Sequence, residues 1–149
     1  MLRSLLLYLS SARWARFLVP HFFGAGRIAY RFVAGETLAQ GRAAARDMND
    51  KGLMVSMDLL GESVHDEATA ISATDAYVNL LEAIHEHQLD ANISVKPTQL
   101  GLDISEQLCA DNLRRMLTKA QELGTSVNID MESSKYTDAT IKIFRQLTQ

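Results

Sequence analysis

Ala91-Asn-Ile-Ser-Val-Lys96-Pro-Thr-Gln-Leu-Gly-Leu-Asp103 begins as a short strand and ends it on a lysine. Two other stretches follow the same plan. Leu53-Met-Val-Ser-Met-Asp58 and Val127-Asn-Ile-Asp-Met-Glu132 each close on ionisable residues, and each follows a glycine, Gly52 or Gly124, suited to end a helix in the left-handed conformation. Side chains alternate across a strand, so Val55 with Met57, Ile93 with Val95, and Val127 with Ile129 and Met131 share an apolar face. The other face carries Ser56 and Asp58, then Asn92, Ser94 and Lys96, then Asn128 and Asp130. A sheet buried on both sides reads as nearly continuous Val, Ile and Leu. Three matched polar faces therefore either line a cavity or meet water.

The connections decide the topology. Asp58 and Lys96 are 38 residues apart, and Lys96 and Asp130 are 34 apart. Each gap holds a helical pattern, which calls for parallel strands joined by crossovers rather than hairpins. The step is close to the ~30 residues per unit of an eight-unit strand-helix barrel of about 250 residues. The expected fold class is α/β, a partial (βα)8 TIM-type barrel of about three βα units preceded by N-terminal helices. Strands are expected near 53–58, 92–96 and 127–131, all parallel.

Helix signals fill the gaps. Thr37 with Gln40 fits a capping box for a helix with Leu38, Ala45 and Met48 on one side, running to Gly52. Asp66 and Glu67 suit the start of the next helix, whose expected buried stripe is Ile71, Thr74, Val78, Leu81 and Ile84. Leu113, Met116, Leu117, Ala120 and Leu123 mark a third, and Thr137 with Asp138 start a fourth carrying Ile141, Phe144 and Leu147.

Composition sets the outer limits. At 149 residues, 47% hydrophobic and 22% charged, the chain has the make-up of one globular domain with a real core. A single cysteine, Cys109, excludes an internal disulfide framework and a cysteine-based zinc site, and its helical setting suits a buried thiol. His85 and His87, two apart on a helix, face different ways and read as solvated rather than as a metal pair. No phosphate-binding glycine loop of the Walker or dinucleotide type occurs.

The net charge of −3 hides an asymmetry. Residues 1–31 contain Arg3, Arg13, Arg16, Arg27 and Arg31 and no acidic residue, giving +5 there and −8 in the remainder. The acidic bulk argues against nucleic acid. The basic start, with Trp14, Phe17, Phe22 and Phe23, has two readings: a helical segment touching an anionic membrane surface, or a first helix packed on the domain. Its apolar runs are too short to span a bilayer.

Parallel barrels carry their chemistry at the C-terminal strand ends, where Asp58, Lys96 and Asp130 are expected. A lysine there can hold a carboxylate as a point charge, attack a carbonyl if burial lowers its pKa, or form a structural ion pair with one of the aspartates.

Arg31-Phe-Val-Ala-Gly-Glu-Thr37, Asp58-Leu-Leu-Gly-Glu62, Asn92-Ile-Ser-Val-Lys-Pro-Thr-Gln-Leu-Gly-Leu102, and Ile129-Asp-Met-Glu132 with Tyr136-Thr-Asp-Ala139 stand in this order over nearly all of residues 27–149. Together they resemble the first half of proline dehydrogenase. The resemblance implies a distorted barrel with FAD at the strand ends, oxidising L-proline to 1-pyrroline-5-carboxylate and passing electrons to a membrane quinone. It implies that Lys96 contacts the substrate carboxylate, that Asp130 helps to organise the substrate pocket, that Glu62 pairs with an arginine of the last barrel helix, and that Met131 lies where the strand approaches the flavin. Asp58 joins them as the ionisable end of the first strand. The implied setting is cytoplasmic, with peripheral contact at the inner face of the membrane.

On this reading residues 1–31 form a basic N-terminal helical segment and residues 32–149 the N-terminal part of the barrel. Later strands and the arginine-bearing helix have no counterpart before Gln149, so the chain alone is expected to be inactive. Two further readings stay open: a noncatalytic half-barrel that self-associates through open sheet edges or binds a membrane surface, and an aldolase-type barrel using Lys96 as a Schiff-base lysine.

Overall fold

The computed structural model describes residues 33–61 and 63–148, and the expected helix within residues 1–31 lies outside them. The chain divides into two compact units, Met1–Gly41 and Arg42–Gln149. In the first, Thr37 and Gln40 form the expected capping box: the Thr37 hydroxyl accepts from the Gln40 amide at 3.3 Å, and Gln40 Oε1 accepts from the Thr37 amide at 3.3 Å. This box opens helix α1, Leu38–Asn49.

The second unit alternates strand and helix: β1 Val55–Met57, α2 Glu67–Glu86, β2 Ala91–Val95, α3 Glu106–Glu122, β3 Val127–Ile129 and α4 Thr137–Leu147. The strands form one parallel sheet in the order β1-β2-β3, with Val55 opposite Ala91 and Ile93 opposite Val127. All three fall within the stretches expected, to one residue at β2, and all pair in parallel. Gly52 and Gly124 take φ of +77° and +70°. Before β2 the same turn is made by Gln88 at φ +48°, a left-handed position filled without glycine.

The core lies between the sheet and the helices that cover it. Ile93 and Val95 are fully buried, as are Leu81, Leu113 and Met116, and Val55, Met57, Val127 and Ile129 pack against them partly buried. Each fully buried Ile or Val side chain contributes about 1.5–3 kcal/mol, so the inner strand β2 anchors the sheet. α2 buries Ala70, Thr74, Tyr77, Leu81 and Ile84. Ile71, expected in that stripe, is 38% exposed, and Val78 only flanks the core. Counting from Thr74, Leu81 and Ile84, the 3.6-residue period selects Ala70 and Tyr77 and turns Ile71 away.

Two other helices show the same selection among their apolar residues. Leu38 is 44% exposed although Ala45 on its helix is buried, and α4 buries Thr140 and Ile143 while Ile141 and Phe144 face outward. An apolar side chain marks a helix as amphipathic, but the neighbour that covers it selects which apolar residues are inside. α3 packs against both α2 and α4. It is capped by Ser105, whose hydroxyl accepts from the amides of Gln107 and Leu108 at 3.2 and 3.4 Å.

Cys109 is fully buried in α3, its thiol 3.5 Å from the Pro97 carbonyl. Burial, and then the nearby Glu132 charge, push its pKa up to about 12. A thiol held protonated reacts slowly, so Cys109 is expected to resist an aromatic disulfide reagent at pH 8 and to label within the urea range where the helical signal is lost. Fast labelling in the absence of urea would contradict its burial.

Candidate active site

The turn after β2 is built to hold its lysine still. The Pro97 carbonyl accepts from Leu100 and Leu102 at 3.1 and 3.0 Å, and the Lys96 carbonyl accepts from Gln99 at 3.0 Å. Thr98 and Leu100 are fully buried, and Asn112 of α3 donates to the Leu100 carbonyl at 3.1 Å. Gly101 allows the turn to close: its φ is +95°, and a Cβ there would stand 2.8 Å from Leu108 Cδ2. Lys96 is therefore mounted on a packed element rather than on a free loop.

At the C-terminal ends of the strands the three expected ionisable residues meet. Lys96 Nζ donates to Asp58 Oδ2 at 2.5 Å and to Asp130 Oδ2 at 3.2 Å. Lys96 is 25% exposed, Asp58 31% and Asp130 40%, so the cluster is wet at its rim. The hydrogen bond that Lys96 donates to Asp58 comes first among the causes that raise the Lys96 pKa, and burial opposes it only in part. Lys96 is thus held as an ammonium. Ser94, one pleat below Lys96, donates its hydroxyl to Asp130 Oδ1.

Beneath the cluster the polar faces join across the sheet. Asn128 donates to Ser56 Oγ at 3.4 Å and to Asn92 Oδ1 at 3.3 Å, and Asn92 donates to Ser126 Oγ at 3.4 Å. A cavity of about 620 Å³ lies at the opposite end of the strands, bordered by Met54, Asp90, Asn92 and Ser126. It is the charge cluster, and not this hollow, that stands where parallel barrels place their chemistry.

The three carboxylates here do two kinds of work. Asp58 and Asp130 clamp Lys96, whereas Glu132, two residues beyond Asp130, accepts from the Thr98 amide at 2.9 Å and from the Thr98 hydroxyl at 2.6 Å. The Thr98 hydroxyl in turn accepts from the Ser63 amide at 3.1 Å, and its carbonyl from Val64 at 3.2 Å. One clasp thereby ties together the segments leaving all three strands. Glu132→Gln should cost about 1–2 kcal/mol in urea unfolding, because a charged acceptor of two hydrogen bonds becomes a neutral one that can keep only one of them.

Of the residues expected at the site, Asp58, Lys96 and Asp130 are brought together. Met131 lies just past β3 and is 56% exposed. Glu62 lies outside the described residues. His87, expected to be solvated, meets the Arg42 side chain, and its carbonyl accepts from Arg46. Periodicity did not single out Tyr77, Gln99 or Thr98. Tyr77 occupies the helical stripe at an i+3 step from Thr74, which is the one local signal that could have marked it.

Parallel strands with crossover helices and a charge cluster at their C-terminal ends define the class as a partial βα barrel of the enzyme type. The chain belongs to the proline dehydrogenase family, whose family model, described as Proline dehydrogenase, matches residues 42–149. Proline dehydrogenase 1 of Bacillus subtilis (strain 168) is 35% identical over 149 residues, which are 100% of this chain and 49% of that protein. Proline dehydrogenase of Deinococcus radiodurans is 32% identical over 123 residues, covering 80% of this chain and 40% of its own. Among solved structures, proline utilization A (PutA) from Bdellovibrio bacteriovorus inactivated by N-propargylglycine matches with a TM-score of 0.68 at 23% identity, over 77% of this chain and 14% of that one. That likeness shows the fold. The chain spans about half the length of the curated relatives it matches.

Proposed function

We propose that these residues form the first three strand-helix units of an FAD-dependent dehydrogenase that oxidises L-proline to 1-pyrroline-5-carboxylate and passes the electrons to a quinone. The observation that carries the reading is Lys96, held as an ammonium between Asp58 and Asp130 at the strand ends of a family member. A positioned ammonium meets the carboxylate of an amino acid as a point charge. Asp58 and Asp130 fix where that charge stands and, with Ser94, keep it from turning toward bulk water.

A flavin suits the surroundings of this cluster. Met131 offers an exposed apolar side chain one residue beyond Asp130, the kind of surface a flat ring covers, and Met131 would lie against it. When bound, the flavin supplies the two-electron acceptor. Glu62, which the family resemblance assigns to a salt bridge that closes the site, would act from the segment that the Thr98–Glu132 clasp holds at Ser63. The five arginines of residues 1–31 would favour peripheral contact with an anionic membrane, where a quinone is reached. Among the described residues no helix is long and apolar enough to cross a membrane.

The pairing also opposes the Schiff-base reading, since a nucleophilic lysine needs a lowered pKa and that of Lys96 is raised. The test is made on the complete protein carrying these residues, or on a chimera joining them to the remainder of the Bacillus subtilis relative. The purified protein should show flavin absorbance that L-proline bleaches without oxygen. Flavin-loaded protein that L-proline leaves unbleached would sink the proposal.

A further inference from the structure

We propose that Tyr77 is a positioning residue that sets the affinity for the substrate carboxylate by fixing Asp58, and through Asp58 the Lys96 ammonium. Tyr77 is fully buried in α2, and its hydroxyl lies 2.9 Å from Asp58 Oδ1. The other oxygen of the same carboxylate receives the Lys96 ammonium at 2.5 Å. Asp58 therefore bridges a buried phenol and the Lys96 ammonium, using one oxygen for each.

The phenol has one proton and two acceptors besides Asp58 within reach, Gln99 Oε1 at 3.1 Å and the Leu59 carbonyl at 3.4 Å. The charged acceptor is the closest and makes the strongest bond, so the proton goes to Asp58. The hydroxyl in turn accepts from the Leu59 amide at 3.3 Å. Gln99 is buried and uses its own NH2 on the Leu59 carbonyl at 3.3 Å, which keeps its oxygen toward Tyr77. The Gly61 backbone approaches this amide closely, since a Cβ at that position would stand 2.5 Å from Gln99 Nε2. The packing thus holds the phenol oxygen from several sides. Burial first, and the Asp58 hydrogen bond second, raise the Tyr77 pKa, so the group remains a donor at every pH the protein would meet.

Asp58 is exposed at the end of a three-residue strand and has no other described hydrogen-bond donor besides Lys96. Without the phenol its carboxylate is free to rotate, and Lys96 follows it or falls back on Asp130 at 3.2 Å. The penalty then falls on ligands that present a carboxylate to Lys96, and it acts on binding rather than on electron transfer.

The inference rests on the proposed function, and its test separates the two. In the flavin-loaded protein described above, Tyr77→Phe keeps the ring and removes only the hydroxyl. The KM for L-proline should rise roughly 10-fold with kcat within about 2-fold, the loss of one charge-assisted hydrogen bond acting at one remove. Inhibition by a five-membered-ring carboxylate should weaken in parallel, and inhibition by the corresponding carboxamide should not. Asp58→Asn should reproduce the KM rise, and adding Tyr77→Phe to it should change little further. An unchanged KM in Tyr77→Phe, or equal weakening of acid and amide, would overturn the relay. If Tyr77→Phe does not fold, Asp58→Asn decides alone, and an unchanged KM there overturns the relay as well. A parent protein that L-proline does not bleach would instead count against the proposed function.

Discussion

Replacing Lys96 with methionine is expected to lower kcat/KM for L-proline about 100-fold, roughly 2.7 kcal/mol, in the flavin-loaded protein. Methionine matches the stem of lysine but has no donor, so both the substrate carboxylate and the two aspartates lose their cation. Arginine should not restore activity. The 2.5 and 3.2 Å bonds from a single ammonium nitrogen to two carboxylates are point-charge geometry, which a planar guanidinium does not reproduce. Steady-state kinetics on both variants, with bound flavin quantified, checks this, and full activity in either would refute the role.

The effect on stability should be much smaller. All three side chains are a quarter or more exposed, and pairs in such settings contribute about 1 kcal/mol or less. The pH dependence has a definite sign. The folded-state pKa of Lys96 lies above its ordinary value of 10.5, so its pairing contributes in full below that value and is lost as pH rises through the folded-state pKa. The difference in unfolding free energy between the parent and Lys96→Met should thus be constant through neutral pH and, on the alkaline side, shrink only in strong alkali.

The second large effect concerns residues 1–149 as an isolated polypeptide, which are expected neither to retain FAD nor to oxidise proline at a measurable rate. The described residues offer the substrate one candidate cation, and that cation already serves Asp58 and Asp130. Strong, oriented recognition of a carboxylate uses bidentate arginine contacts. The family resemblance assigns those arginines to a late barrel helix, and this chain spans about half the length of its curated relatives. Among the described residues β1 and β3 are both edges of the three-stranded sheet, a template for self-association. Titration of the purified polypeptide with FAD, followed by flavin fluorescence, should show no saturable binding. A separately expressed second half of the Bacillus subtilis relative should restore it. Tight binding by the 149 residues alone would defeat the prediction.

The architecture was legible in the sequence because its signals are local. A period of two along Val55–Met57, Ile93–Val95 and Val127–Ile129 has only one side to bury, and a helix between successive strands forces them parallel. The meeting of Asp58, Lys96 and Asp130 followed from the same rule, since parallel strands deliver their C-terminal residues to one edge. The tertiary structure alone decided how that edge is supported. Tyr77 comes from the middle of α2, 19 residues beyond Asp58, and Glu132 reaches back 34 residues to Thr98. It also decided that Ala70 and Tyr77 go inside while Ile71, Ile141 and Phe144 stay out. Periodicity records which face of an element is apolar. The partner of a buried hydroxyl or carboxylate is set by how two elements cross, and no local pattern carries that distance.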